Sequence, residues 1–425
     1  MSTENLEELL ALGERAVGAA RRAGADVAEA VVGEGSHLST KVRLGEPELV
    51  EEAGSRGLGL RVMVGQRVAV SYTSDLSDAG LARSVEDVLE LARLSEPDEL
   101  AGPPDPSELS SRDAHPDLRL YDPATQRIDA AYGLAQARTA EKAALDADER
   151  VTNSEGATFA RSAGARALVT SGGFRGVSYG TYASLVVAPV ADDADGKKRS
   201  GHYASARRHL DQLESPTEVG REAARRTTAK LGARKVETQE CPVIFHPDVG
   251  AAILGLLAGC VNGGSIWRRS SYLTDRLGDR VASDLVTVVD DPLIERAPGS
   301  RPFDGEGLRS RQNVVVRDGV LQTYLLDCYA ARKLGQRSTA SASRGSGGGV
   351  GASTTNFVLQ PGEQSPEALL ADTPRGLYVT EMMGFGFNAA TGDFSRGVGG
   401  FWVENGERAF PVSEVTISLN LDELL

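Results

Sequence analysis

Histidine is the first side chain to test for chemistry, because imidazole serves both as a metal ligand and as a general base. The chain has five histidines: His37, His115, His202, His209 and His246. No pair has the i, i+4 spacing that places two zinc ligands on one helix face. His202 and His209 are seven residues apart and would share a face if they lay on a helix. The neighbouring Arg207 and Arg208 instead favour a polar surface strip.

The three cysteines are Cys241, Cys260 and Cys328. Their odd number and wide spacing predict reduced, mostly buried thiols in a cytoplasmic protein. A cysteine nucleophile needs a nearby base and a lowered thiol pKa. Cys260 ends an apolar run that is typical of a packed helix, so core packing is favoured for it.

A glycine-rich segment, 344–351, is the other candidate for chemistry. It lacks the preceding strand of a serine nucleophile elbow and the Lys-Ser/Thr ending of a phosphate-binding loop. We interpret it as a flexible or substrate-adjacent loop, with flexibility favoured. Taken alone, the residues therefore indicate no self-sufficient catalytic constellation.

Composition limits the classes of function. The chain has 425 residues and a formal net charge of −14, which repels phosphate backbones and argues against nucleic-acid binding. No apolar run reaches the roughly 18–20 residues that cross a bilayer, so no membrane partner is expected. The length favours two domains.

Hydrophobic periodicity predicts helices at the N-terminus, after Asp75, over about 124–146, over 247–260 and near 325–334. Another helix has a strong start at Ser215, with Pro216 first and Glu218 completing a capping box. Short glycine-bounded segments predict strands at 27–32, 38–44, 58–64, within 151–190, and at 285–289, 313–316, 377–381 and 415–419. We predict an α+β fold, with an N-terminal α+β domain over 1–232 and a strand-rich C-terminal domain over 233–425.

Several segments, in this order, resemble the TldD/PmbA family of peptide-processing proteins. The most specific lie near the C-terminus: 376–388 (GLYVTEMMGFGFN), 391–397 (TGDFSRG), 399–407 (GGFWVENGE) and 410–417 (FPVSEVTI). Supporting segments are 57–62, 151–156 and 354–362. Together they cover nearly the whole chain and indicate the PmbA (TldE) branch.

The resemblance implies a missing metal site. Catalytic members carry His-Glu-x-x-x-His in the helix after the interdomain strand, and a distant cysteine; the histidines hold zinc and the glutamate activates water. Gly255 and Leu256 stand at the first His and the Glu, Cys260 stands at the second His, and 397–401 stands at the distant cysteine. We therefore assign no catalytic residue, no metal ligand and no cofactor to this chain, and we expect zinc in the catalytic partner.

The resemblance also implies a role and a partner. It predicts the non-catalytic subunit of a TldD/TldE-type metallopeptidase that acts on unfolded or small peptides, paired with a TldD-like paralogue or with itself. An extended peptide would bind by strand addition. The predicted substrate strip consists of Glu381, Gly384, Phe385, Gly386, Phe387, Asn388 and Asp393.

Two alternatives remain open at this point. One is an independent hydrolase that uses His202, His209 or Cys260 in an unrecognised geometry. The other is a structural or regulatory homodimer without a peptidase role. Members of the family are also described as modulators of DNA gyrase, but the acidic charge argues against direct DNA contact.

Overall fold

The computed structural model describes residues 3–194 and 196–425. The helices are α1 (Thr3–Arg22), α2 (Asp78–Leu94), α3 (Pro123–Gln126), α4 (Ala130–Leu145), α5 (Pro216–Thr228), α6 (Pro247–Cys260), α7 (Gly263–Trp267), α8 (Cys328–Lys333), α9 (Pro366–Ala371) and α10 (Leu421–Leu424). Short 3₁₀ turns lie at Pro106–Glu108, Arg112–Ala114 and Leu210–Gln212.

The strands are β1 (Val27–Arg43), β2 (Glu46–Val64), β3 (Arg67–Thr73), β4 (Val151–Thr170), β5 (Arg175–Asp192), β6 (Lys198–Ser200), β7 (Tyr203–Arg207), β8 (Val243–Phe245), β9 (Val288–Asp290), β10 (Asn313–Arg317), β11 (Val320–Leu321), β12 (Ala342–Arg344), β13 (Val350–Ala352), β14 (Phe357–Leu359), β15 (Arg375–Met383), β16 (Asp393–Glu404) and β17 (Glu407–Asn420). Helices and several sheets coexist, which confirms the predicted α+β class.

The N-terminal half is built on one antiparallel sheet in the order β3-β2-β1-β4-β5-β6, with β7 also paired to β5. Alternate residues of β1, namely Ala28, Ala30, Val32, Leu38 and Val42, are fully buried. Side chains alternate across a strand, so these residues share one face. The first three pack with α1 and α2, and the last two with α4 and α5. The helices therefore lie side by side on one face of the sheet.

The C-terminal half contains smaller sheets. Strands β17-β16-β15-β8 form one sheet, in which β8 runs parallel to β15; β11-β10-β9-β14 form a second, and β12-β13 a hairpin. Helix α6 buries Val249, Ile253, Leu257 and Cys260 against this core. Spacings of three and four residues place them on one helix face, as the apolar run predicted.

Among the described residues, every strand of the N-terminal sheet lies before residue 208 and every strand of the smaller sheets lies after residue 242. The two-domain division at 232/233 stays a prediction. The opposite face of the N-terminal sheet contacts the C-terminal half: Glu29 on β1 binds Arg344 of the β12–β13 hairpin at 2.7 Å and Arg61 on β2 at 2.9 Å.

Several predicted boundaries were wrong. The segments 27–32 and 38–44 form one strand, because Gly33 and Gly35 stay in the ladder opposite Gly57 and Gly164. The 124–146 helix is interrupted after Gln126, since Asp129 caps a new helix by accepting a hydrogen bond from the Tyr132 amide.

The glycine-rich loop is also more ordered than its composition suggested. Arg344 is buried, and Ser346 and Gly348 lie against Gly59 so closely that a Cβ on Gly59 would be 2.2 Å from the Ser346 carbonyl oxygen. The base of the loop is therefore packed against the N-terminal sheet, and the flexibility of its tip stays a prediction. In the described part of the chain, no helix combines the length and apolarity needed to cross a bilayer.

Candidate functional site

A cleft of about 450 Å³ separates α5 from the sheet that carries β15, β16 and β17, and α6 forms one of its walls. Six cationic side chains line it against the carboxylates of Asp248 and Glu381. The cations are Arg199, Arg225, Arg226, Lys230, Arg396 and Arg408. The cleft is thus locally positive within a chain whose formal net charge is −14.

Helix α5 holds two of these cations in place. The predicted capping box is present: Ser215 accepts from the Glu218 amide and the Glu218 carboxylate accepts from the Ser215 amide. Near the end of the helix, Glu222 accepts two hydrogen bonds from Arg225 at 2.7 Å and one from Arg226 at 2.8 Å. The hydrogen bonds from Arg225, opposed by burial, lower the pKa of Glu222 to about 2.

A third cation is fixed by a predicted site residue. Lys230 donates to the Glu381 carboxylate at 2.6 Å and to the Ser200 carbonyl at 2.9 Å. Room for the Glu381 side chain depends on Gly399, where a Cβ would lie 2.4 Å from Glu381 Oε1. A register shift between β15 and β16 falls at this point. Glu381 therefore positions Lys230 at the wall of the cleft.

Arg396 and Arg408 differ from the other cations because the described residues give neither of them an ion pair. Arg408 stacks over the Tyr378 ring, with 3.8 Å from Cζ to the ring centroid. The Nε of Arg396 is buried and no described atom hydrogen-bonds to it. Stacking orients a guanidinium but leaves its N–H donors available. Both arginines can therefore accept an anion from outside the chain.

Helix α6 presents no metal ligand at the positions of the resemblance, and these positions lie outside the lining of the cleft. Gly255 and Gly259 are exposed, and a Cβ on either would meet no atom within 4 Å. Cys260 points into the core, and burial raises the pKa of its thiol to about 11. Across residues 3–194 and 196–425, no three His, Cys, Asp or Glu side chains are grouped as a metal ion would require. This donor set does not fit zinc.

The histidines proposed for the alternative hydrolase are not brought together on a helix. His202 lies between β6 and β7 at the cleft, while the His209 Nε2 contacts the Arg119 carbonyl at 2.6 Å. His246 caps α6, with Nδ1 3.2 Å from the Asp248 amide. Burial and the nearby arginines Arg226 and Arg408 lower the pKa of His246, against the opposite effect of Asp248.

The predicted substrate strip is divided between two places. Glu381 lines the cleft, whereas Phe385, Gly386, Phe387, Asn388 and Asp393 surround a shallow cavity at the β15–β16 hairpin, and Gly384 directly follows β15. Gly386 permits a close approach by the chain itself, because its carbonyl accepts from the Ser395 amide at 2.7 Å. Phe385 is 96% exposed at the hairpin tip. The substrate role of these residues stays a prediction.

The cationic lining of the cleft escaped sequence reasoning. Arg225 and Arg226 read as the basic last turn of a helix, and nothing in the order of residues places them beside Arg408. Arg396 had a signal, because it lies inside the family-like segment 391–397, where the sequence predicts Asp393 but not Arg396 as a binding residue.

Comparisons with known proteins agree with this fold. The chain matches the family models of the PmbA/TldA metallopeptidase domain 1 over residues 28–92, of the central domain over 122–231 and of the C-terminal domain over 238–425. It is 39% identical to "Metalloprotease PmbA" of Escherichia coli O157:H7, covering 94% of this chain and 86% of that protein. A Haemophilus influenzae "Metalloprotease PmbA homolog" is also 39% identical, covering 96% and 88%.

Solved structures show the same architecture. A putative modulator of DNA gyrase from Bacteroides thetaiotaomicron has a TM-score of 0.91 and 27% identity, covering 100% of this chain and 92% of that one. TldE from Thermococcus kodakarensis has a TM-score of 0.86 at 22% identity, covering 97% and 92%, and shares the fold. The sheet, the cleft and the α6 wall thus belong to a metallopeptidase-type α+β fold. The chain is a member of the TldD/PmbA metallopeptidase family, in its PmbA (TldE) branch.

Proposed function

We propose that this chain is the non-catalytic subunit of a TldD/TldE-type metallopeptidase complex that acts on unfolded or small peptides in the cytoplasm. The observation that carries the proposal is the chemistry of helix α6 beyond the cleft, at the positions where the resemblance places metal ligands. Gly255 and Leu256 cannot coordinate a metal or take a proton from water, and Cys260 faces the core with a raised thiol pKa. A TldD-like paralogue would supply the zinc and its ligands.

This chain's own residues contribute binding surfaces in the proposal. The cationic cleft and the hairpin around Phe385 can orient an extended peptide, and the sheet β15–β17 offers strands to which a peptide can pair. The heterodimer is the expected assembly, because a subunit without a metal site needs a partner that has one. Direct contact with nucleic acid is not part of the proposal, since the formal net charge is −14.

Co-expression tests the proposal. The chain is produced alone, with a paralogue that carries His-Glu-x-x-x-His, and with that paralogue after Glu→Gln in its motif. We expect co-purification with the paralogue, and cleavage of an unfolded peptide only by the pair with the intact motif. Zinc is measured in each sample by elemental analysis. Stoichiometric zinc and peptide cleavage in this chain purified alone would contradict the proposal and favour an independent hydrolase.

The hairpin allows a second test on the active pair. Phe385→Ala removes a nearly fully exposed ring, and burial of such a ring by a ligand is worth about 1.5–3 kcal/mol. We expect KM for an extended peptide to rise roughly tenfold or more, with little change in kcat. The matched control is Leu285→Ala, which removes an apolar side chain that is 87% exposed elsewhere. Equal KM values for both variants and the unaltered pair would remove Phe385 from the substrate strip.

A further inference from the structure

We infer that the cleft between α5 and the β15–β17 sheet binds the carboxylates of an extended acidic peptide, with Arg396 and Arg408 as the receiving groups. The inference rests on the proposed function for the peptide nature of the ligand. It adds a substrate class, acidic peptides, and assigns a binding role to the cleft that α6 borders through Asp248, Val249 and Ala252.

The two receiving arginines are separated by the length of a short peptide. Arg396 lies on β16, and seven positions further along that strand Val403 pairs with Arg408 of β17. A strand advances about 3.3 Å per residue, so the backbones of the two arginines are roughly 20 Å apart. An extended peptide of about seven residues would therefore span the distance between the two backbones.

The remaining cations of the cleft already have partners. Arg225 and Arg226 are bound by Glu222, Lys230 by Glu381, and Arg199 by Asp193 at 2.8 Å. Arg226 also reaches Asp248 at 2.8 Å. These ion pairs hold the four cationic side chains in fixed positions before a ligand binds.

Arg408 and Arg396 differ from these cations, because no described residue forms an ion pair with either guanidinium. A guanidinium binds a carboxylate through two parallel N–H donors, which a stacked planar group presents with little loss of side-chain entropy. The Arg408 guanidinium is stacked in this way on the Tyr378 ring, and its Cζ lies 5.8 Å from the centroid of the Phe401 ring. The buried Arg396 Nε lacks a partner among the described atoms, and an unpaired buried donor is costly unless a ligand satisfies it.

The sign of the charge excludes the other common ligands. With the other four cations paired to carboxylates, the lining keeps the two guanidiniums of Arg396 and Arg408 without an ion pair among the described residues, so a cationic peptide would be repelled. The cleft walls combine these charges with the Tyr378 and Phe401 rings and with Val249 and Val412. Apolar walls and two arginines on well-separated strand positions suit an extended peptide whose carboxylates are separated by several residues, more than they suit a small compact anion.

The test measures binding to this full-length chain alone, without partner or zinc. The probe is a dye-labelled, acetylated peptide of alternating threonine and serine with one glutamate near each end, about seven residues apart. Matched probes carry glutamine in place of glutamate, and each is made with a free and with an amidated C-terminus. Fluorescence anisotropy gives Kd at low and at moderate salt.

We expect the glutamate probe to bind at least tenfold more tightly than the amidated glutamine probe, with the difference reduced by salt. A free C-terminus that restores part of the affinity of the glutamine probe would assign one arginine to the terminal carboxylate. Affinity restored only by glutamate would assign both arginines to side-chain carboxylates. Either pattern supports the inference. Equal affinities for all four probes would overturn it, whatever the variants do.

Variants of the chain locate the binding. Arg396→Gln and Arg408→Gln are each expected to weaken the glutamate probe by about tenfold or more while leaving the amidated glutamine probe unchanged. The control is Arg337→Gln, which removes the same charge from an exposed position outside the cleft. Circular dichroism verifies the fold of each variant. Glutamate-probe affinities equal to the unaltered chain in both cleft variants would overturn the assignment.

The outcome is distinguishable from a failure of the proposed function. An inactive co-expressed pair would reject the peptidase role, while preferential binding of the acidic probe by this chain alone would still stand. An active pair whose non-catalytic chain shows no preference for carboxylates would reject the cleft assignment alone.

Discussion

At the scale of single residues, Glu306 in the C-terminal half is a buried acidic group whose raised pKa has a consequence for stability. Glu306 is 4% exposed and its Oε2 accepts from the Cys328 amide at 2.8 Å. Burial, followed by the charge of the nearby Asp304, raises the pKa of Glu306 to about 7. Burial and the charge of Glu306 raise the pKa of the Cys328 thiol, so this thiol is protonated at neutral pH and is not suited to nucleophilic chemistry.

Glu306 should make stability depend on pH. In an unfolded chain a glutamate ionises near pH 4.3, whereas the folded chain holds the Glu306 proton until about pH 7. The folded chain thus binds more protons within that window, and stability falls as pH rises through it. The full effect is on the order of 3 kcal/mol.

Glu306→Gln should remove that slope, because the amide stays neutral at every pH in the window. We expect the urea midpoint of the unaltered chain to fall between pH 4.5 and 7 more steeply than that of the variant. Glu363→Gln, at an exposed position, is the control and should keep the original slope. Parallel profiles for Glu306→Gln and the unaltered chain would show that Glu306 is not the source.

At the scale of elements, helix α5 connects a local sequence signal to the cleft. Ser215 caps the helix whose later turns carry Arg225 and Arg226. Removing a serine cap exposes an unpaired amide and costs about 1 kcal/mol, whereas glycine at the same position costs a few tenths.

The cap therefore predicts an order of stabilities. Ser215→Ala should lower the free energy of unfolding by about 1 kcal/mol and Ser215→Gly by distinctly less, measured by chemical denaturation. Hydrogen exchange of the first-turn amides of α5 should rise in the same order. Equal losses for alanine and glycine would mean that the serine acts through packing instead of capping.

The elements that the sequence predicted well share a local cause. The capping box at Ser215 predicts the start of α5. Hydrophobic residues spaced by three and four positions predict α6 from Pro247 to Cys260. The predicted division of β1 into two strands was wrong, because glycine often marks the end of a strand but does not do so here. Gly33 and Gly164 remain in the ladder, where their partners are Gly57 and Gly35, and no short window shows that pairing.

The candidate site was less predictable for the same reason. The absence of ligands at Gly255 and Leu256 followed from the resemblance, but the cleft is assembled from α5, α6, β16 and β17, which only tertiary packing brings together. The resemblance predicts Glu381 as a substrate-strip residue, and Glu381 does line the cleft, where it is paired with Lys230. Its neighbours Gly384 to Asn388 instead turn away into the hairpin.

At the scale of the whole molecule, the two halves are joined by charges that the solvent does not reach. Glu29 and Arg344 have side chains that are 1% and 3% exposed, and Arg61 adds a second guanidinium at 13%. Burial raises the pKa of Glu29, but the charges of Arg344 and Arg61 outweigh it, so the pKa is lowered overall. This network fixes the β12–β13 hairpin to the N-terminal sheet.

Arg344→Met tests how much that junction contributes. Breaking a buried pair by removing one partner costs about 3–5 kcal/mol, and Arg344 additionally donates to the carbonyls of Gly305 and Gly348. Chemical denaturation should show a loss of this size, and limited proteolysis should cut the 345–349 turn sooner. Arg317→Met, at an exposed position of β10, should change neither. If the double variant Glu29→Leu/Arg344→Met is more stable than Arg344→Met, the lost stability comes from the unpaired Glu29 charge. If the double variant is less stable than Arg344→Met, the packing of the hairpin on the sheet depends on both side chains independently of their charge.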